Sequence, residues 1–276
     1  MAGRLDGKVA IVTGAGSGLG RAASTAFARE GAAVVLAEID ATRGERVAAA
    51  IRAENGRAVS VPTDVTSSVS VQDAVQRAVD EFGSVDVLYH CAVDVAFVNY
   101  SDRRLTEMDD AVWQRMIDLV LTGTFHVCKH VGRQMLAQGS GSIVLTGTTD
   151  ALVGVAGLDA YTAAKGGVLS LTRSFAAGMA PAGVRVNTVC PAFVATEPQQ
   201  VWLDDPAAHA AIQSLHLLPI PTPEEVVPLV VFLASDEASA LTGGVYPVDA
   251  GYMAFKVADV DAMAAMQAGR DADGGV

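Results

Sequence analysis

The sequence places a tyrosine and a lysine four residues apart, a spacing with clear chemical potential. Tyr161 and Lys165 fall near the start of a predicted helix, so the phenol and the ammonium share one helical face. A nearby cation stabilises the phenolate, which lets a tyrosine act as a base near neutral pH. Lowering the phenol pKa by about three units takes about 4 kcal/mol, which two cations in a dry cleft can supply. The alternative interpretation is a surface pair that stabilises the helix by about 0.3 kcal/mol.

A glycine-rich loop is typical of a site for a negatively charged group. Residues 13–20 read TGAGSGLG and stand between the first predicted strand and the first predicted helix. Glycines let the backbone approach a pyrophosphate closely, and the helix N-terminus offers free N–H groups and a positive dipole. A simple tight turn is the alternative, but the position within a βαβ unit favours a dinucleotide. The expected contacts are Gly14, Ser17, Gly18, Leu19 and Gly20.

The second predicted strand ends at an acidic residue, Glu38. A carboxylate at this point can accept hydrogen bonds from the hydroxyls of an adenosine ribose. It also repels the extra phosphate of NADP, whose charge is roughly −1.5 to −2, and the glycine loop has no lysine or arginine to offset that repulsion. Asp40 is an alternative ribose ligand, but it lies past the strand end and fits a solvated helix start. The sequence therefore predicts NAD as the cofactor.

Asp64 and Val65 directly follow the third predicted strand, where an adenine contact is expected. The alternative role for Asp64 is to cap the helix that begins near residue 67. Thr66 or Ser67 could provide that cap instead.

Short β-branched runs alternate with longer alanine-rich stretches along the chain. Several runs are almost continuous in Val, Ile and Leu, which is typical of parallel strands covered on both faces. The predicted strands span 8–13, 33–38, 58–61, 85–89, 141–147, 184–189 and 245–248, and the predicted helices span 18–31, 42–55, 67–82, 111–137, 160–180 and 223–234. This alternation predicts an α/β, single-domain Rossmann fold with a doubly wound, seven-stranded parallel sheet and helices on both faces. We expect the domain over 1–256, and a tail over 257–276 that frays or packs on a neighbouring subunit.

Together these features resemble the short-chain dehydrogenase/reductase family. The features shared are the TGxxxGxG loop, the acidic end of the second strand, Asp64 and the Tyr-x-x-x-Lys pair. The similarity runs from about residue 5 to about residue 251 and includes RVN at 185–187, CP at 190–191, TPEE at 222–225 and LTGG at 241–244. The resemblance implies an oxidoreductase that moves a hydride between a secondary alcohol or ketone and the nicotinamide of NAD.

The resemblance also implies roles for individual residues. Tyr161 would be the general acid/base, and Lys165 would lower its pKa and hold the nicotinamide ribose. The family's catalytic serine corresponds to Thr148, whose hydroxyl can still donate to the substrate oxygen; Thr149 is the alternative. The positions that correspond to nicotinamide carboxamide contacts are Val194 and Thr196.

Two departures from the family pattern bear on catalysis. The usual Asn-Asn-Ala-Gly after the fourth strand is replaced at 90–93 by HCAV. Cys91 then stands where the backbone meets the cofactor ribose, Val93 lacks glycine's freedom, and His90 fits a hydrogen-bonded core histidine. A family asparagine whose carbonyl holds a relay water is replaced by Val120. Valine keeps the carbonyl and loses the side-chain bonds, so we expect a slower or rerouted proton relay.

Charge and composition narrow the classes of partner. The net charge of −12 repels phosphate backbones, which argues against nucleic acid and anionic membranes as partners. No apolar run approaches the ~20 residues that span a bilayer, and the N-terminus lacks an apolar signal stretch, so we expect a cytoplasmic protein. The three cysteines, Cys91, Cys128 and Cys190, are widely spaced and predict neither a metal site nor a disulfide framework.

The substrate side is expected in the segments 93–102, 150–158 and 195–221. Their mostly apolar content predicts a medium-sized, largely apolar alcohol or ketone. The resemblance implies a homotetramer assembled through helices at 113–137 and 160–180. Two alternatives remain: a non-redox enzyme that catalyses elimination or isomerisation, motivated by Val120 and Thr148, and an NAD-sensing binding protein, which the Tyr161/Lys165 pair disfavours.

Overall fold

The seven strands form one parallel sheet. The computed structural model describes residues 3–255, so the expected tail at 257–276 lies outside the described residues. The strands are β1 (Val9–Thr13), β2 (Ala33–Glu38), β3 (Arg57–Pro62), β4 (Val87–His90), β5 (Gly141–Thr146), β6 (Val184–Pro191) and β7 (Val245–Val248). Their order across the sheet is β3-β2-β1-β4-β5-β6-β7, and every neighbouring pair is parallel. The predicted doubly wound Rossmann fold is therefore confirmed.

Helices connect the strands and cover both faces of the sheet. They are α1 (Gly18–Arg29), α2 (Ala41–Ala53), α3 (Ser68–Phe82), α4 (Val95–Ser101), α5 (Asp110–Met116), α6 (Gly123–Gln138), α7 (Asp159–Met179), α8 (Gln200–Leu203), α9 (Pro206–Gln213) and α10 (Pro223–Ala234). In the part of the chain from residue 3 to residue 255, no helix combines the length and hydropathy needed to cross a membrane.

Two features of the helices differ from the sequence prediction. The helix predicted over 111–137 is two helices, α5 and α6, separated by a π-helical turn at Ile117–Thr122. The short helices α4, α8 and α9 were not predicted. Two of them begin at aspartate caps: Asp94 accepts from the Phe97 N–H, and Asp205 accepts from two N–H groups of α9. An aspartate cap followed by proline, as at Asp205, is a start signal that apolar periodicity alone overlooks.

The hydrophobic core consists of two layers, one on each face of the sheet. Consecutive strand residues point to opposite faces, so Ile11 packs with one layer and Val12 with the other. The first layer includes residues of α3, α6 and α7, and the second includes residues of α1, α2 and α10. Burial on both faces explains why β1 is apolar up to its final threonine.

The sheet also fixes where a ligand can bind. The chain winds outward from β1 through β2 to β3 and then crosses back to place β4 on the other side of β1. The loops after β1 and β4 therefore diverge and leave a crevice at the carboxyl ends of the strands. Thr13 and His90, the last residues of these two strands, are paired in register at the base of the crevice.

Candidate active site

A cavity of about 1290 Å³ opens at the carboxyl ends of the strands. Every residue that the sequence analysis selected contributes to its wall. These residues are Gly14, Ser17, Gly18, Leu19, Gly20, Glu38, Asp64, Val65, Cys91, Thr148, Tyr161, Lys165, Val194 and Thr196. The fold thus brings the glycine loop, the acidic strand end and the tyrosine–lysine pair into one cleft. Among residues 3–255, no cluster of three or more His, Cys, Asp or Glu side chains could hold a metal ion.

The loop after β1 is shaped so that side chains would not fit. Gly14 adopts φ +64°, and a Cβ atom there would lie 2.8 Å from the Cα atom of Ala92. A Cβ atom at Gly20 would lie 2.1 Å from the Gly14 carbonyl oxygen. Ser17, the N-cap of α1, makes no side-chain capping bond, so the helix start keeps donors for a ligand. The loop and the helix start therefore fit the pyrophosphate of a dinucleotide.

A carboxylate from the far side of the cleft already contacts this helix start. The Gly18 N–H donates to Glu197 Oε2 at 3.0 Å, and Arg21 Nη2 pairs with Glu197 Oε1 at 2.9 Å. On the same segment, Gln199 Oε1 accepts from Asn99 Nδ2 of α4 at 2.9 Å. The segment between β6 and α8 is therefore held across the cleft by three polar contacts, which the sequence analysis did not predict.

Glu38 closes the adenosine end of the cleft. It is 6% exposed, and its two carboxylate oxygens accept from the Gly16 N–H at 2.8 Å and the Asp40 N–H at 3.0 Å. Asp40 instead caps α2 by accepting from Thr42 and Arg43 N–H groups. The interpretation of Asp40 as a helix-start residue is therefore confirmed, and Glu38 is the carboxylate that faces the cavity.

Asp64 is free of the capping role that the sequence left open. Ser67 caps α3, accepting from the Ser70 N–H at 3.3 Å. Asp64 Oδ1 accepts from the backbone N–H and the hydroxyl of Thr66 at 2.9 and 2.7 Å. Asp64 therefore fixes the turn after β3 while lining the cavity.

Tyr161 and Lys165 lie one turn apart on α7, as predicted. Lys165 is 4% exposed, its Nζ donates to the Thr146 carbonyl at 2.6 Å, and it lies 5.7 Å from the centre of the Tyr161 ring. Burial lowers the Lys165 pKa to about 8. This pair is therefore an interior group of the cleft, and the surface-pair alternative is wrong.

The surroundings of Tyr161 oppose ionisation of its phenol. Burial raises the pKa of the phenol above its ordinary value, and the carboxyl of Asp150 and the thiol of Cys190 raise it further. The sequence analysis called for two cations to stabilise the phenolate, and Lys165, whose Nζ is directed at the Thr146 carbonyl, supplies one of them. A second positive charge is needed for Tyr161 to ionise near neutral pH.

The geometry separates the two threonines that follow β5. Thr148 lines the cavity, whereas Thr149 is fully buried and its hydroxyl donates to the Pro191 carbonyl at 3.4 Å. Thr148 Oγ1 contacts both the N–H and the carboxyl of Asp150 at 3.2 Å. Thr148 is therefore the threonine available to a ligand.

Asp102 holds the start of α7, a function that the sequence analysis missed. This carboxylate is 4% exposed and accepts from the Ala160 N–H at 3.2 Å and the Tyr161 N–H at 2.9 Å. Helix starts leave several N–H groups without partners, so an acceptor from another segment both stabilises the helix and fixes Tyr161. The contact joins residues 59 positions apart and has no local sequence signal.

We expect Asp102→Ala to lower the free energy of unfolding by about 2 kcal/mol, because it leaves buried N–H groups unpaired. Urea denaturation followed by circular dichroism measures this loss. Asp109→Ala is the control, since that exposed aspartate caps α5 through one N–H group. Equal losses in the two variants would contradict the special role of Asp102.

His90 belongs to a buried hydrogen-bonded chain. Thr13 Oγ1 accepts from the N–H groups of Cys91 and Ala92, so its proton goes to His90 Nδ1 at 2.7 Å. His90 Nε2 donates to Thr124 Oγ1 at 3.0 Å. Burial, followed by the charge of Lys165, lowers the His90 pKa to about 3, so the ring is neutral. The prediction of a hydrogen-bonded core histidine is confirmed.

The hydrogen-bonded series that contains His90 ends at the carbonyl of Val120. The Thr124 hydroxyl donates to the Val120 carbonyl at 2.6 Å, and the Val120 side chain is buried in the core. This carbonyl stands at the position where the family resemblance implied a relay water. In the structure this carbonyl accepts from the Thr124 hydroxyl, and His90 Nε2 donates to the same hydroxyl oxygen. The slower or rerouted relay stays a prediction.

The cysteines are free thiols in the structure. Cys91 lines the cavity, and its Sγ lies 3.5 Å from the Thr13 carbonyl. Burial raises the pKa of the Cys91 and Cys128 thiols to about 12 and that of Cys190 to about 11. They are therefore protonated and weakly reactive at neutral pH.

Known proteins resemble this chain in sequence and in fold. A family model described as enoyl-(acyl carrier protein) reductase matches residues 14–253. Cis-4-hydroxycyclohexanecarboxylate dehydrogenase of Sinomonas cyclohexanicum is 43% identical over 249 residues, covering 90% of this chain and 97% of the relative. Cyclohexanol dehydrogenase of Acinetobacter sp. is 33% identical over 253 residues, covering 91% and 97%. The crystal structure of carveol dehydrogenase from Mycobacterium avium in complex with NAD superimposes with a TM-score of 0.83 at 32% identity, covering 91% of this chain and 99% of that one.

Proposed function

The chain belongs to the short-chain dehydrogenase/reductase family and is an oxidoreductase of CH–OH groups, and on this basis we propose that it is an NAD-dependent dehydrogenase of secondary alcohols. The observation that carries the proposal is the single cleft in which the glycine cradle, Glu38 and the Thr148, Tyr161 and Lys165 side chains meet. Such a cleft combines a dinucleotide site with an acid/base at one wall.

Tyr161 is the proposed general acid/base. In oxidation, the alcohol's hydroxyl proton passes to the phenolate oxygen while its carbinol carbon loses a hydride, which leaves a ketone and a neutral phenol. Oxidised nicotinamide, when bound, supplies the hydride acceptor and the second positive charge that the Tyr161 phenolate needs. In reduction, the phenol returns its proton to the carbonyl oxygen.

Lys165 and Thr148 position the reacting groups. Lys165 holds its ammonium beneath the Tyr161 ring and is oriented by the Thr146 carbonyl, so it can bind ribose hydroxyls and stabilise the phenolate. Thr148 places its hydroxyl at the same wall of the cleft, in the substrate-oxygen position. The neutral His90 and the Val120 carbonyl are joined through the Thr124 hydroxyl.

Glu38 supports NAD in preference to NADP. Its carboxylate is fixed by two backbone N–H groups, so it cannot turn away from an added phosphate without losing both bonds. Arg43 also lines the cavity, but its Nε is paired with Asp40 Oδ2 at 2.9 Å. The nearest basic group is thus engaged by a neighbouring acid.

Cyclic secondary alcohols are the proposed substrates. The three similar proteins described above are named for cis-4-hydroxycyclohexanecarboxylate, cyclohexanol and carveol, which all carry a hydroxyl on a six-membered ring. The cleft wall at Val93, Val95 and Ala96 is apolar, which suits such a ring.

We also propose a homotetramer, because α6 and α7 share an apolar groove in which Phe125 is 50% exposed.

Glu197 is expected to oppose cofactor binding, because its carboxylate occupies the Gly18 N–H that a pyrophosphate requires. We expect Glu197→Gln to lower the Kd for NAD⁺ about threefold to tenfold, since it removes a negative charge from the pyrophosphate site. Isothermal titration calorimetry measures the change. Glu224→Gln, which alters an exposed acid at the start of α10, is the control. Weaker NAD⁺ binding in Glu197→Gln would contradict the expectation.

The proposed function is tested by mixing the protein with NAD⁺ and a panel of cyclic, aromatic and linear secondary alcohols while NADH absorbance is followed. NADP⁺ is run in parallel. We expect NADH to form with the cyclic alcohols and much more slowly with NADP⁺. Tight NADH binding without turnover across the panel would favour a sensor or non-redox chemistry instead.

A further inference from the structure

Asp150 lies in the turn that follows β5, beside the proposed catalytic Thr148. It follows Thr148 by two residues, within the 3₁₀ turn Thr149–Ala151. Its N–H donates to Thr148 Oγ1 at 3.2 Å, and its Oδ2 lies 3.2 Å from the same oxygen. The phenol of Tyr252 lies beside this carboxyl from the segment after β7. Asp150 is therefore in direct contact with one proposed catalytic residue.

The Thr148 hydroxyl can make only a limited set of hydrogen bonds. Its hydroxyl has one hydrogen, and its oxygen already accepts from the Asp150 N–H. When Asp150 is ionised, its Oδ2 can only accept, so the Thr148 hydrogen points to Asp150 and not to a substrate oxygen. When Asp150 is protonated or replaced by a donor, Thr148 can accept from it and give its own hydrogen to the substrate.

The charge of Asp150 also acts on Tyr161, whose pKa it raises after the larger effect of burial. The other charged or titratable groups around the phenol are Lys165 on the same helix, Cys190 on β6, and Asp102, which holds the Tyr161 N–H. Around Asp150 stand Thr148 and Tyr252, and the ring of His216 lies 5.3 Å from that of Tyr252. Burial raises the pKa of Asp150 itself.

We propose that Asp150 is a positioning residue that, when ionised, accepts the hydrogen bond of the Thr148 hydroxyl and opposes ionisation of Tyr161, so that alcohol oxidation is slowed near neutral pH. Both effects have the same sign. A Thr148 hydroxyl that donates to Asp150 is withdrawn as a donor to the substrate oxygen, and a negative charge beside the phenol opposes the phenolate that accepts the alcohol proton. This inference rests on the proposed function.

The test is Asp150→Asn, a variant that removes the charge and can donate to Thr148. Oxidation needs the phenolate, so its kcat/KM rises with pH through the pKa of Tyr161. Removing the negative charge lowers that pKa, and we expect the midpoint to move down by about one pH unit, with a gain of up to about tenfold below it. Asp80→Asn is the control, since that exposed carboxylate on α3 accepts a side-chain hydrogen bond from Gln76 and does not line the cavity. Asp150→Ser is a second variant in case the first folds poorly.

The Thr148 part of the proposal has its own readout. Thr148→Ala should reduce alcohol oxidation more in the Asp150→Asn background than in the wild type, because only there does Thr148 donate to the substrate. An unshifted midpoint in both Asp150 variants, or equal effects of Thr148→Ala in the two backgrounds, would overturn the proposal. If, in addition, Tyr161→Phe were fully active, the proposed function would fail together with the role of Asp150. If Tyr161→Phe is inactive but the midpoint of the pH profile is unchanged in Asp150→Asn, the proposed role of Asp150 fails and the proposed function stands.

Discussion

Tyr161→Phe is expected to lower kcat/KM for alcohol oxidation by about 10³-fold, since it removes the group that accepts the hydroxyl proton. Phenylalanine keeps the aromatic ring at position 161, which packs against the hydrophobic core. Lys165 stays oriented by the Thr146 carbonyl, and Asp102 still accepts from the N–H at position 161. The loss should therefore appear in turnover, with the Kd for NAD⁺ changed by less than about fivefold. Initial rates of NADH formation and a fluorescence titration measure the two quantities.

Tyr100→Phe is the matched control for this variant. Tyr100 lies on α4 and is 59% exposed, so loss of its hydroxyl should leave the rate within about twofold. If Tyr161→Phe kept wild-type turnover, Tyr161 would not be the acid/base. A variant that lost NAD⁺ binding and turnover together would indicate a structural role for the phenol.

Glu38→Gln is expected to reduce the preference for NAD⁺ over NADP⁺ by about 30-fold. At an effective dielectric constant of ~20, two unit negative charges about 8 Å apart repel by about 2 kcal/mol, and glutamine removes this repulsion. The glutamine carbonyl can still accept from the Gly16 N–H, so the loop keeps its shape. The gain should come mainly from a lower KM for NADP⁺. The ratio of kcat/KM values for the two cofactors measures the change.

Glu45→Gln provides the same change of charge on α2 at an exposed glutamate that pairs with Arg52. This control should leave the cofactor ratio within about twofold, because its carboxylate does not reach the cavity wall. A Glu38→Gln ratio equal to that of the control would show that the carboxylate at the end of β2 does not select the cofactor.

The sheet and the cleft were predictable because their signals are local. Parallel strands buried on both faces require near-continuous apolar runs, as in β1 and β2. A glycine loop between a strand and a helix and a Tyr-x-x-x-Lys pair place functional groups by short-range geometry alone. These signals brought Gly14, Glu38 and Lys165 to the same cavity without knowledge of any long-range contact.

The contacts that tune the site were not predictable in this way. The Gly18–Glu197 and Tyr161–Asp102 hydrogen bonds join segments 179 and 59 residues apart. Their partners are ordinary acids in loops, and many such acids lie along the chain. The π-helical turn at Ile117–Thr122 also escaped prediction, because apolar spacing barely distinguishes one turn of π-helix from the α-helices that flank it.

The pKa of the Tyr161 phenol shows a third limit of sequence-based prediction, because opposing effects on this pKa differ in size. The sequence indicates the cation that stabilises a phenolate but not the depth at which the pair is buried. In the structure, burial and the charge of Asp150 raise the pKa of the Tyr161 phenol. The energetic argument from the sequence called for two cations, of which Lys165 is one, so the second is a requirement of the proposed mechanism.

Isotope transfer tests hydride transfer to NAD⁺ most directly. The protein is incubated with NAD⁺ and cis-4-hydroxycyclohexanecarboxylate that carries deuterium on the carbinol carbon, and the reduced cofactor is analysed by mass spectrometry. We expect the ketone and NADH heavier by one mass unit to appear in equal amounts, with a slower rate than for the unlabelled alcohol. Reduced cofactor without deuterium, or a product formed with no reduced cofactor, would contradict hydride transfer and favour the non-redox alternative.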